Sequence, residues 1–134
     1  MIITEAPYQE VLQLRQTVMY PNYEIDFVKL PDDDKGLHIG AYEYEELISV
    51  MSIFLQDRAI QFRKLATRTD KQGMGYASGL MQWLIDYAND MKFEKVWCNA
   101  RVGATGFYKK FGYQETGTSF QKNGYDYIIM EKIL

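Results

Sequence analysis

The chain has 134 residues, 15 of them Lys or Arg and 18 Asp or Glu, which gives a formal net charge of −3. This length suits a single domain over residues 1–134, and an apolar share of 47% is enough to build a core, so wholesale disorder is excluded. The slight acidic excess argues against a nucleic-acid partner, while one Cys and one His exclude a disulfide framework and predict no metal site.

No stretch of the chain is apolar for long enough to form a transmembrane helix, so we expect no membrane partner. The first residues, Met1 to Pro7, lack the charged and apolar regions of a secretory signal peptide. We therefore expect a soluble, cytoplasmic protein.

The first quarter of the chain predicts a strand and a helix. Ile2-Ile3-Thr4 is typical of a short strand, and Pro7 is tolerated in the first turn of the helix that follows. Arg15 interrupts the apolar positions of this helix, and Pro21-Asn22 ends it. The segment from Pro31 to Gly36 contains three consecutive aspartates and is predicted as a solvated surface loop.

Three strands are predicted next, over Leu37–Tyr44, Leu47–Leu55 and Ala59–Thr67. Their connections are short, so we expect them to be antiparallel neighbours. From Gly75 to Ala88 the apolar residues recur at helical spacing, which predicts a long helix.

The last part of the chain predicts a strand over Lys95–Asn99, a short helix over Ala104–Phe111 and one closing strand over Tyr125–Lys132. An antiparallel front half followed by a β-α-β crossover is typical of a protein that contains both helices and strands, in the α/β (α+β) fold class. We expect a mixed, mostly antiparallel central sheet with helices on both faces.

The stretch from Leu65 to Ala77 runs from a strand through a glycine pair into the long helix. Gly73 and Gly75 allow positive φ angles and a close approach of the backbone to another group. The first N–H groups of a helix lack internal partners and carry positive potential, so this turn suits a pyrophosphate. From the residues alone, a turn whose glycines serve only its geometry stays equally open.

This stretch resembles the acyl-CoA-binding motif of the GNAT family of N-acetyltransferases, written Gln/Arg-x-x-Gly-x-Gly/Ala. Gly73 and Gly75 fill the two small positions, and Asp70 stands where Gln or Arg is usual. The run Ala104 to Tyr113 resembles a later motif of the family, Ala-x-x-Phe-Tyr-x-Lys-x-Gly-Phe. The segment from Phe120 to Tyr127 and an early Leu14-Arg15-Gln16 resemble the ElaA-like branch.

The resemblance implies a GNAT-like fold with acetyl-CoA as the acyl donor. It implies that Tyr108 protonates the departing thiolate and that Leu65, Ala66, Thr67 and Asn99 lie along the pantetheine arm. It also implies that the phosphates are held by Lys71, Gln72, Gly73, Met74, Gly75, Tyr76, Ala77 and Lys110.

The predicted function is direct transfer of an acetyl group from CoA to a primary amine of a small molecule or protein. The alternatives are a non-catalytic acyl-CoA-binding or regulatory module and an interaction domain without a CoA site. The net charge favours a cationic acceptor, and a homodimer is common in similar proteins. No general base is assigned, although Glu43, Glu45 and Glu46 surround a predicted hairpin; His38 and Cys98 are predicted to be structural.

Overall fold

The computed structural model describes residues 1–134 and contains one seven-stranded sheet and three α-helices. The strands are β1 (Ile2–Glu5), β2 (Leu37–Glu43), β3 (Glu46–Gln56), β4 (Ala59–Thr67), β5 (Lys95–Arg101), β6 (Gln114–Lys122) and β7 (Tyr125–Ile133). The helices are α1 (Tyr8–Met19), α2 (Tyr76–Asp90) and α3 (Thr105–Lys109). None of these helices is both long and apolar enough to cross a membrane.

The strands are arranged in the order β1-β2-β3-β4-β5-β7-β6, and every neighbouring pair is antiparallel except β4 and β5. The parallel pair is joined by α2, which is the crossover that the sequence predicts. The turn between β2 and β3 has positive φ angles at Tyr44 (51°) and Glu45 (67°), as a tight two-residue hairpin requires. The predicted mostly antiparallel α+β sheet is therefore confirmed.

One strand was not predicted. The sequence indicates a single closing strand after the short helix, whereas the structure has two, because β6 lies at the sheet edge beside β7. Eight of its nine residues are exposed, and Gly117 interrupts it. An edge strand that is polar on both faces lacks the apolar alternation by which strands are recognised in sequence.

The two faces of the sheet are covered by different helices. A core of 16 buried residues lies under α2, and it includes Ile60 and Phe62 of β4. A smaller cluster lies under α1 and includes Val11, Val50 and Ala66. The prediction of helices on both faces is confirmed, and the face that carries α1 is called the α1 face below.

Arg15 does not interrupt the buried stripe of α1, and Asp33 is not part of a solvated loop, so both of those predictions are wrong. Arg15 is 0% exposed, and its guanidinium donates to Asp33 Oδ2 at 2.7 Å and Oδ1 at 3.0 Å. Arg15 also donates to Ser52 Oγ and the Val28 carbonyl, while Asp33 accepts from the Tyr8 hydroxyl at 2.6 Å. A charge is tolerated in a core only when it is paired and hydrogen-bonded in this way.

The same cluster includes His38, which is structural as predicted. Its Nε2 lies 2.9 Å from the Asp33 carbonyl, to which it donates, and its Nδ1 lies 2.7 Å from Ser52 Oγ. Burial alone would raise the pKa of Asp33, but hydrogen bonds from Arg15, the Leu30 N–H and Tyr8 outweigh burial and lower this pKa to about 2. Asp33 therefore stabilises the fold above about pH 4 and loses that contribution as the pH falls toward 2.

We expect Arg15→Met to lower the free energy of unfolding by about 3–5 kcal/mol, because it leaves the buried Asp33 carboxylate without its partner. Urea denaturation measures this loss. The matched control is Arg58→Met, which breaks a surface pair with Glu94 at an arginine whose side chain is 79% exposed, and this should cost less than about 1 kcal/mol. Equal losses in the two variants would contradict the importance of the buried pair.

Candidate active site

The central feature of the site is a gap in the sheet between β4 and β5. These strands pair only through Ala59–Gln61 and Lys95–Trp97, and beyond those residues β4 is paired on its β3 side alone. The register of β3 and β4 shifts by one residue between Val50 and Ser52, and Lys64 has a φ of 56°. This is a β-bulge, and it bends β4 at the point where the gap has opened.

The bulge also changes which side chains face which helix. Before it, Phe62 packs in the core under α2, whereas after it Ala66 packs under α1, although both residue numbers are even. Arg63 and Lys64 consequently both lie on the α1 face, where Arg63 is 3.7 Å from Asp32 and Lys64 contacts the Tyr20 ring. An extra residue in a strand reverses the alternation of faces, which explains this arrangement.

A cavity of about 480 Å³ extends through this gap, a volume typical of small-molecule sites. It is lined by the unpaired part of β4, the end of β5, and Tyr108 of α3. On the α1 face the walls are the residues after α1, including Tyr20 and Leu30, and the β6–β7 hairpin.

The backbone of β4 offers hydrogen-bonding groups to this gap. The Arg68 N–H donates to the Ile48 carbonyl of β3, and N–H groups alternate in direction along a strand. The N–H groups of Leu65 and Thr67 therefore point toward the gap, with Ala66 directed at β3 between them. Leu65 on β4 and Asn99 on β5 both line the cavity; their contact with a pantetheine arm stays a prediction.

The glycine turn continues from the open end of β4. Gly73 has a φ of 77° and Gly75, the N-cap of α2, a φ of 91°, and a Cβ added at either would meet no atom within 4 Å. No side chain caps the helix, and the N–H groups of Tyr76, Ala77 and Ser78 have no acceptor in the chain. Unpartnered N–H groups facing open space beside positive-φ glycines fit the pyrophosphate of CoA.

Asp70, the departure from the family motif, is neutralised locally. Arg68 donates to both of its carboxylate oxygens, at 3.2 and 2.9 Å, and to Glu46 Oε2 at 3.2 Å. Of the other predicted phosphate contacts, Lys71 ends the short 3₁₀ turn before the glycines, Gln72 donates to the Thr67 carbonyl, and Met74 is exposed. Lys110 directly follows α3 and is exposed.

Tyr108 lines the cavity and packs beside Phe62 and Tyr113, with ring centroids 5.6 and 6.3 Å away. Burial, and then the nearby Cys98, raises the pKa of Tyr108 to about 12, so the phenol keeps its proton. Burial also raises the pKa of the Cys98 thiol to about 12, which disfavours the thiolate form that a nucleophile needs.

The carboxylates of the β2–β3 hairpin lie away from the cavity. Glu43 accepts a hydrogen bond from the Tyr76 hydroxyl at 3.3 Å, and Glu46 pairs with Arg68, so both lie beside the start of α2. The cavity lining includes no Asp or Glu but five cations: Lys29, Arg63, Lys64, Arg101 and Lys122. The sequence analysis did not single these residues out, because a bulge at Lys64 and a strand at β6 are both needed to bring them together.

The profile of the Acetyltransferase (GNAT) domain family matches residues 9–134. The chain belongs to the GNAT family. YitI of Bacillus subtilis, an uncharacterized N-acetyltransferase, is 26% identical over 94% of this chain and 91% of its own length.

Two crystal structures show how closely the GNAT fold is kept. A provisional N-acetyltransferase from Lactobacillus plantarum superposes with a TM-score of 0.86 at 23% identity, covering 99% of this chain and 96% of its own. ElaA of Escherichia coli superposes with a TM-score of 0.80 at 18% identity, covering 98% and 97%. The match to the family model confirms the predicted family and its class as an acetyltransferase that uses acetyl-CoA, and the two superpositions confirm the fold.

In this GNAT chain we expect Gly75→Ala to weaken CoA binding by about tenfold or more, because the added Cβ enters the space where the pyrophosphate would lie. Calorimetric titration with CoA measures the change. Gly117→Ala is the matched control, since Gly117 has a φ of 87° and equally open surroundings but lies on β6. Both variants should lose about 1–2 kcal/mol of stability from the strained φ. Unchanged CoA affinity in Gly75→Ala would remove the turn from the binding site.

Proposed function

We propose that this GNAT protein transfers an acetyl group from acetyl-CoA directly to a primary amine of a small molecule or protein. The observation that carries the proposal is the continuity of the split between β4 and β5 with the glycine turn at the start of α2. The split and the turn together form one continuous site. It offers backbone N–H groups to the pantetheine arm of acetyl-CoA, an anion site to its pyrophosphate, and a cavity to the thioester and the amine. A cytoplasmic location and a homodimer remain predictions.

Leu65 and Thr67 orient the donor through their backbone N–H groups, while Gly73 and Gly75 let the helix start approach its phosphates. When bound, acetyl-CoA supplies a thioester: a C–N bond forms between the neutral amine and the acyl carbon, and the C–S bond breaks. The sulfur takes a proton from Tyr108, and the proton that the nitrogen loses restores the phenol by way of solvent. A backbone N–H of the splayed strand is suited to hydrogen-bond the thioester carbonyl, where negative charge develops.

Tyr108 holds the proton that the departing sulfur needs. A phenol with a pKa of about 12 would be a weak acid toward a thiolate in water, where thiols have pKa values of about 8.5. The buried surroundings that keep Tyr108 protonated also disfavour a charged thiolate, so the departing sulfur takes up a proton more readily there than in water.

Calorimetric titration with acetyl-CoA, followed by detection of free CoA thiol in the presence of a panel of amines, tests the proposal. We expect saturable one-to-one binding and amine-dependent thiol release. Binding without release for any amine would instead support the alternative of a non-catalytic acyl-CoA-binding module. No binding at millimolar acetyl-CoA would contradict both.

We expect Tyr108→Phe to lower kcat by about 100-fold, the lower range for loss of a general acid, with little change in CoA affinity. Tyr113→Phe is the matched control. Tyr113 packs on the same face, but its hydroxyl is buried without a hydrogen-bond partner and does not line the cavity. The control should keep full turnover and gain stability. Wild-type turnover in Tyr108→Phe would exclude Tyr108 as the acid.

A further inference from the structure

We propose that the acceptor is a small primary amine that carries an acidic group, a carboxylate or phosphate, which is bound by Lys64 and the neighbouring cations of the cavity. This inference rests on the proposed acetyl transfer and names its substrate class. It runs against the cationic acceptor suggested by the net charge of −3.

The first support is the composition of the cavity wall. Its five cations face no lining carboxylate, although acidic residues outnumber basic ones in the chain as a whole. Arg63 and Lys29 are paired outside the cavity, with Asp32 and Asp26 respectively. Lys64, Arg101 and Lys122 have no carboxylate within 4 Å, so none of the three has an anionic partner. Arg101 lies over the Tyr125 ring instead, with its Cζ 4.0 Å from the ring centroid.

The second support is the placement of Lys64. Its backbone has a φ of 56°, an uncommon conformation for a residue other than glycine, and such conformations concentrate at functional sites. Its ammonium lies 5.1 Å from the centroid of the Tyr20 ring and within 3.5 Å of the Tyr20 hydroxyl. Burial, followed by the charges of Arg63 and Arg15, lowers the pKa of Lys64. An anion at this position would offset the repulsion from Arg63 and Arg15, which favours its binding.

The third support separates this charge from the site expected for the donor phosphates. The pyrophosphate fits the start of α2, beyond the end of β4, whereas Lys64 lies on the α1 face beside Tyr20 and the β6–β7 hairpin. Phe62 and Tyr108 line the same cavity from the opposite face of the sheet. An amine that enters from the α1 face would thus meet the cations on its way to the thioester.

Cations beside the acceptor also serve the chemistry. A primary amine is protonated in water at neutral pH, and only its neutral form attacks an acyl carbon. Nearby positive charges disfavour the ammonium form and lower the pKa of the bound amine. The acidic group neutralises part of this positive charge, and the cations that it leaves unpaired help to release the proton from the amine. The cavity lining contains no carboxylate to accept this proton, so the proton passes to solvent.

Matched pairs of acceptors test the inference by kcat/KM with acetyl-CoA. β-Alanine is compared with β-alaninamide, 2-aminoethyl phosphate with 2-aminoethanol, and 1,3-diaminopropane is the cationic arm. We expect the anionic member of at least one pair to exceed its neutral partner by about tenfold or more, and the pair that responds identifies the acidic group.

Lys64→Gln should lower the preference for the anionic member by about tenfold, the lower range for a charge-assisted hydrogen bond. Lys122→Gln, at an exposed hairpin position that does not threaten folding, should lower it less. The control Lys95→Gln removes a lysine with a 43% exposed side chain at the closed end of β5 and should change nothing.

The outcomes separate the inference from the function on which it rests. Turnover that favours neutral or cationic amines, or an equal loss for both members of a pair in Lys64→Gln, overturns the inference and leaves acetyl transfer intact. Absence of turnover with every amine, despite binding of acetyl-CoA, overturns the proposed function and the inference with it.

Discussion

The incomplete pairing of β4 with β5 is the constraint on which the rest of the site depends. A parallel pair that closed along its full length would leave no unpaired backbone, no cavity and no route between the two faces of the sheet. The bulge at Lys64 prevents that closure by bending β4 after three paired residues. It also places Leu65 toward the core under α2 and Lys64 toward the α1 face, so one irregularity serves the expected donor and acceptor sides at once.

The buried pair of Arg15 and Asp33 supports the opposite wall of the cavity. Arg15 donates a hydrogen bond to the Val28 carbonyl, and Asp33 accepts one from the Leu30 N–H. The segment from Val28 to Asp33 is therefore hydrogen-bonded to the buried pair, and through it to α1, near both of its ends. Lys29, Leu30 and Pro31 of that segment line the cavity. An irregular segment has no ladder of hydrogen bonds to hold it, and a charged core pair supplies the directional contacts that apolar packing would not.

Much of this fold was accessible from sequence because periodicity reports burial. The strand Ala59–Thr67 was predicted with its observed bounds, and α2 was recognised from apolar residues at helical spacing. The motifs located the glycine turn and Tyr108. Periodicity does not identify the partner of a residue. Arg15 was predicted to interrupt the apolar face of α1 because its partner, Asp33, is 18 positions away in the sequence. The polar edge strand β6 and the positive φ of Lys64 were equally invisible, since neither leaves an apolar pattern.

The local distribution of charge around the cavity matters more for ligand binding than the net charge of the chain. Several carboxylates around the site are already engaged: Asp33 with Arg15, Asp70 with Arg68, and Asp32 with Arg63. Solvent and salt screen the charges on the outer surface within about 10 Å, whereas charges in a half-closed cavity act on its contents with less screening. A ligand in the gap is therefore affected mainly by Lys64, which is only partly exposed, rather than by the net charge of −3 of the chain. For a reaction that begins with the loss of a proton from an ammonium group, that local positive potential acts in the direction of catalysis.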